Sequence, residues 1–137
     1  MHLIVDAANV IGSRPDGWWR DRQGAARRLA GSLVAVLSTD PAVLVTALGR
    51  EPVGPLLVHL VLEGAAGRTP DLPTHPALDV VVAPADGDST IAALAADLHE
   101  EQVVVVTADR ALRERVRVHG ATAVGPAVLL GALPAGS

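Results

Sequence analysis

The chain has 137 residues, a formal charge of −4, half of its residues apolar, and no cysteine. That length suits one domain spanning residues 1–137 with a sizeable core, and the missing cysteines exclude disulfides, thiolate metal sites and a cysteine nucleophile. No apolar run approaches the roughly 20 residues of a membrane helix, and the opening Met1-His2-Leu3-Ile4-Val5-Asp6 meets a carboxylate without a preceding basic segment. A cytoplasmic protein with no membrane partner is the expectation.

Taken in chain order, short apolar runs that end in acids alternate with amphipathic stretches. Leu3-Ile4-Val5 leads into Asp6. From about Arg20 to Leu37, Ala26, Leu29, Leu33, Val36 and Leu37 recur near helical spacing. Val43 to Leu48 fits neither period cleanly. Leu56 to Leu62 leads into Glu63, and the proline-rich Gly64 to Ala77 reads as a surface loop. Val80-Val81-Val82 precedes the loop carrying Asp86 and Asp88, and Ile91, Leu94, Ala95 and Leu98 repeat the helical pattern. Val103 to Val106 leads into Thr107, Ala108 and Asp109. Ala111, Leu112, Val116 and His119 mark another helix, with Gly120 as its C′ residue. Ala123-Val124 reads as a short edge strand, and Val128 to Leu133 as a final turn of helix.

Valine-rich runs that are apolar throughout suit strands buried on both faces, as in a parallel sheet. Strand and helix in alternation predict a doubly wound α/β fold, in which sites form beyond the carboxyl ends of the strands. Asp6, Glu63, Asp86, Asp88 and Asp109 then lie along one rim. Each has an ordinary reading: Asp88 and Asp109 as helix caps, Glu63 as a turn residue beside Gly64. Asp6 resists such a reading, since it follows a buried strand directly. Several carboxylates at neighbouring strand ends repel one another unless a cation neutralises them. Oxygen-only ligands suit Mg²⁺ or Mn²⁺, an ion that activates water and stabilises charge on a phosphodiester.

Other chemistries fall away. All 11 basic residues are arginines, so a P-loop and the lysine-dependent phosphoryl sites of receiver domains and haloacid-dehalogenase-type phosphatases are excluded. Neither a GxGxxG fingerprint nor a Gly-x-Ser-x-Gly elbow is present. His2, His59, His75, His99 and His119 show no metal-ligand spacing and read as scattered surface or core positions.

The opening Leu3-Ile4-Val5-Asp6-Ala7-Ala8-Asn9-Val10-Ile11-Gly12-Ser13, continuing Arg14-Pro15-Asp16-Gly17-Trp18-Trp19-Arg20-Asp21, resembles the first motif of the NYN (YacP-like) group of PIN-like nuclease domains. Val104-Val105-Val106-Thr107-Ala108-Asp109-Arg110 is similar to that group's fourth-strand motif, and Asp86-Gly87-Asp88 to its central acidic motif. The resemblance spans nearly the whole chain. It implies a three-layer α/β/α sandwich with a mostly parallel sheet and metal-dependent hydrolysis of RNA phosphodiesters. By the same resemblance Asp6 is the central metal ligand and Asn9 its polar partner. Asp88 and Asp109 complete the Mg²⁺ or Mn²⁺ cluster, with Glu63 as the acid after the second core strand. One departure stands out: where the central motif often carries a second adjacent acid, this chain has Ser89.

Single-stranded or structured RNA as partner requires phosphate contacts and base stacking. Arg14, Arg20, Arg27 and Arg28 follow the first strand end, and Arg110, Arg113 and Arg117 can share one helix face. Trp18-Trp19 offers a stacking platform, though packing against the core or a dimer contact is the commoner use of such residues. Three readings follow: a metal-dependent endoribonuclease; a catalytically degenerate RNA-binding or interaction module on the same fold; and a metal-dependent phosphatase acting on small substrates. A homodimer is compatible with so apolar a small domain.

Overall fold

The computed structural model describes residues 1–52 and 54–134. In chain order the elements are β1 (His2–Asp6), α1 (Ala7–Gly12), α2 (Arg22–Thr39), α3 (Pro41–Ala47), β2 (Leu57–Leu62), β3 (Leu78–Val82), α4 (Gly87–Asp97), β4 (Val103–Val106), α5 (Arg110–Arg117), β5 (Thr122–Val124) and α6 (Pro126–Ala132). The five strands form one sheet in the order β3-β2-β1-β4-β5, and every pairing is parallel.

Alternation along the strands sends successive side chains to opposite faces, and each face is covered by helices. Leu3, Val5, Leu60 and Val106 meet Val10 of α1, Leu33 of α2, Leu44 of α3 and Leu129 of α6. On the other face Ile4, Val61 and Val105 meet Ile91 and Ala95 of α4 and Leu112 and Val116 of α5. This is the three-layer α/β/α sandwich expected of a PIN-like fold. The chain runs outward from β1 to β2 and β3, then returns to the other side of β1 for β4 and β5. The carboxyl ends of β1 and β4 therefore flank the switch point, where doubly wound sheets hold their ligands.

Several details differ from the reading of the sequence. β3 is an edge strand with incomplete cover, and Val82 is 55% exposed. The segment from β2 to β3 supplies a 3-10 turn (Ala66–Arg68) and a loop held to α2 by Arg27 on the Pro70 carbonyl, 3.2 Å. Among the described residues this crossover has no α-helix, and its 3-10 turn sets Gly67 against Val82 at the end of β3. Val43 to Leu48 falls largely within α3, started by Pro41 at its first turn. Helix α2 starts at Arg22, capped by Asp21 accepting from the Gly24 amide at 2.8 Å, while Arg20 belongs to a 3-10 turn, Trp18–Arg20.

The end of α5 closes as the sequence implies. The Ala121 amide donates to the Val116 carbonyl and the Gly120 amide to that of Arg117, a Schellman arrangement with Gly120 at φ +84°. An added Cβ there meets nothing within 4 Å, so the cost of a side chain is purely conformational. Gly120→Ala is expected to lower the unfolding free energy by about 1–2 kcal/mol, read as a shifted urea midpoint with unchanged slope. A midpoint equal to the wild type's would contradict this account of the helix end.

Candidate active site

Strand β1 delivers Asp6 to the switch point, and the residue caps the helix that follows. One carboxylate oxygen, Oδ1, accepts the Asn9 amide at 3.3 Å, and Oδ2 accepts the Thr107 hydroxyl at 2.9 Å. Asp6 is 5% exposed and Thr107 fully buried. Thr107 also accepts the Asp109 amide at 3.2 Å, so one hydroxyl joins the ends of β1 and β4 and orients the turn into α5. Asn9 adds a second tie, its side-chain oxygen accepting the Ala108 amide at 2.8 Å.

The other acids arrive from neighbouring elements. Glu63, just past β2, accepts the Gly87 amide at 2.9 Å and so anchors the start of α4. Asp88 lies in the first turn of that helix, where a negative charge meets the positive end of the helix dipole. The cap itself is Asp86, which accepts the Ser89 amide at 2.7 Å and the Ser89 hydroxyl at 3.1 Å. The capping role considered for Asp88 thus belongs to Asp86, and Ser89 serves that cap. Asp109 caps α5, accepting the Leu112 amide at 3.0 Å.

Electrostatics ties the group together. Burial pushes the Asp6 carboxyl above its ordinary range, and the charges of Asp88 and Glu63 push the same way, against the hydrogen bonds from Thr107 and Asn9. Burial likewise raises Asp88, aided by Asp109, Asp86 and Glu63 and opposed by Arg115. Asp86 is held below the carboxylate range by its bonds from Ser89. Ionising Asp6 and Asp88 therefore carries a cost that a nearby cation would relieve.

The donors fit a hard divalent cation in kind, since all are oxygen atoms. Among the described residues no three histidine or acidic side chains are already gathered around one point as metal ligands. The carboxylates instead hold backbone amides and the Thr107 hydroxyl.

The arginines divide differently from the helical-face expectation. Arg113 donates through Nε to the Thr107 carbonyl at 2.9 Å, and Arg117 pairs with Glu114 at 2.8 Å. Arg110 is exposed at the start of α5, and Arg115, which the sequence gave no reason to single out, acts on Asp86 and Asp88. Arg14 lines a small pocket with Asp16, Arg28 and Leu130, whereas Arg20 lies over the Trp19 ring at 5.8 Å. Trp18 is half-buried and lines a cavity that reaches Glu63.

Two histidines are not scattered. His2 and His59 stack with ring centres 5.1 Å apart and nitrogens 2.9 Å apart, and His59 reaches Asp79 at 3.3 Å. Burial, then His59 and the terminal amine, lower the His2 pKa, while Glu101 raises it. This cluster belongs to the amino-terminal half of the sheet, away from the acids.

No known protein family matches the sequence, and no curated protein matches it. Among solved structures the chain is similar to Rae1 (YacP) from Bacillus subtilis, with 20% identity and a TM-score of 0.62, over 96% of this chain and 72% of that one. The chain has a YacP-like fold.

Proposed function

We propose that the chain is an endoribonuclease that uses a divalent metal ion at the carboxyl ends of β1 and β4. The observation that carries this reading is Asp6: a carboxylate at the switch point, fixed by Thr107, whose pKa is raised by burial first and by Asp88 and Glu63 after it. The YacP-like fold and the motif resemblance support the same reading. Asp6, Asp88 and Asp109 would hold Mg²⁺ or Mn²⁺, with Glu63 beside them. The bound ion would supply Lewis-acid activation of water and charge neutralisation at the phosphodiester.

The protein's own contribution is positioning. Thr107 and the Asn9 amide fix both oxygens of Asp6, and the Asn9 side chain clamps the turn that presents Asp109. Arg110 and Arg115 flank the acids and would hold phosphates, with Arg14 and Arg20 contacting the strand further out. Mg²⁺ is commonly held by one or two carboxylates completed by substrate phosphates, so the ungathered acids are compatible with a site that closes around metal and RNA together.

The test is incubation of purified protein with mixed single-stranded RNA in Mn²⁺ or Mg²⁺, in chelator, and across pH. Cleavage should require the ion. Because burial first, and neighbouring acids after it, raise Asp6 and Asp88 in the metal-free protein, protons compete with the ion for these carboxylates, and the metal concentration needed for half-maximal cleavage should rise as pH falls. RNA binding that survives both chelation and loss of Asp6, with no cleavage, would instead establish a degenerate binding module, the reading that Ser89 favours. Turnover of a phosphomonoester without RNA cleavage would establish a phosphatase.

A further inference from the structure

Beside the acids the surface opens into a cavity of about 340 Å³ at the carboxyl ends of β1 and β2, within the size range of small-ligand sites. Ile11 and Ala66 give it apolar walls, and Glu63 closes it toward the acidic group. Trp18 forms a flat wall, held edge-on to Trp19 with ring centres 6.0 Å apart. The Arg22 guanidinium stands 5.4 Å from the Trp18 ring centre, so a cation is already placed at the aromatic surface.

We propose that this cavity is the subsite for one unpaired nucleobase of an RNA strand, stacked on Trp18, with the adjoining phosphate on Arg22. The inference rests on RNA being the substrate of the neighbouring acids and names how one nucleotide is held there. A flat aromatic wall accepts the face of any base once the Arg22 guanidinium, which lies over the ring, swings out to its rim, where it meets the phosphate attached to that base. A carboxylate lining the cavity disfavours a phosphate inside it, so the base enters and the phosphate stays at the rim. Bases in a duplex are already stacked and paired and cannot enter singly, which makes the subsite selective for single-stranded regions.

The test uses the full chain with Trp19→Phe, leaving Trp18 as the sole tryptophan, in chelator. Titration with a mixed-sequence single-stranded RNA should change the Trp18 emission. The same strand made abasic, and the same sequence as a duplex, should bind about five- to hundredfold more weakly, the range expected for losing a base–aromatic stack. Arg22→Ala should weaken the intact strand. In cleavage assays Trp18→Ala should raise KM far more than it lowers kcat, with Trp18→Phe restoring most of the loss. The fluorescence arm needs no change at Trp18, so a misfolded Trp18→Ala protein leaves the proposal testable. An unresponsive Trp18, or an abasic strand bound as tightly as the intact one, overturns the subsite. Trp18 quenching with no cleavage under any metal condition retains the subsite and rejects the nuclease reading. Asp6-dependent cleavage with a silent Trp18 does the reverse.

Discussion

Asp6→Asn should abolish RNA cleavage, by about a thousandfold or more, in a protein that melts at a higher temperature than wild type at neutral pH. The first effect follows from removing several kcal/mol of charge stabilisation at the reacting phosphate. The second follows from linkage. A carboxyl whose pKa is raised by folding contributes stability that is complete below its unfolded-state value and lost as pH rises through the raised value. Burial first and facing acids after it raise Asp6, so its ionised form opposes folding at neutral pH, and an amide of nearly the same shape removes that charge at the smaller cost of one of the two hydrogen bonds that Asp6 accepts. The stability gap should narrow as pH falls and Asp6 protonates. Thermal melts at several pH values, run beside RNA assays, check both effects. Full activity in folded Asp6→Asn protein would remove Asp6 from the chemistry.

Thr107→Val, nearly isosteric, should lose about 1–3 kcal/mol of stability and about ten- to hundredfold in activity. The hydroxyl is fully buried and serves two partners, donating to Asp6 at 2.9 Å and accepting from the Asp109 amide at 3.2 Å. Valine leaves that amide without its acceptor and Asp6 without the donor that orients it. Thr107→Ser keeps the hydroxyl and should retain most of both properties, which separates the hydrogen bonds from packing. Chemical denaturation and initial cleavage rates measure the pair. A valine variant with wild-type activity would show that the orientation of Asp6 does not matter.

The sheet and its acidic rim were legible because the relevant signals are local. The apolar run Leu3-Ile4-Val5 ending in Asp6, and the valine run ending in Thr107-Ala108-Asp109, announce buried parallel strands with polar groups at their carboxyl ends. What escaped the sequence depends on pairing register and side-chain direction. His2 and His59 meet only because β1 and β2 pair with His2 opposite Leu57 and Ile4 opposite His59. Asp79 joins them because it sits opposite His59 on β3. Val82 is exposed although its run is rich in valine, because valine content reports strand propensity, not whether an α-helix covers the strand. Asp86 and Asp88 are two residues apart, and only the backbone decides which is cap and which lies in the first turn. Thr107 had a signal, a hydroxyl between a buried strand and an acid, but its two partners lie in the fold. The arginines of α5 share spacing without sharing a role, since Arg113 reaches back to the Thr107 carbonyl.

Calorimetric titration with Mn²⁺, of wild type beside Asp6→Asn and with and without single-stranded RNA, tests the central claim most directly. The account predicts metal binding by wild type, tightened by about tenfold when RNA is present, and lost in the variant. Folded wild-type protein that binds no metal, even with RNA, would contradict it and leave the acids as caps and anchors of the helices they precede.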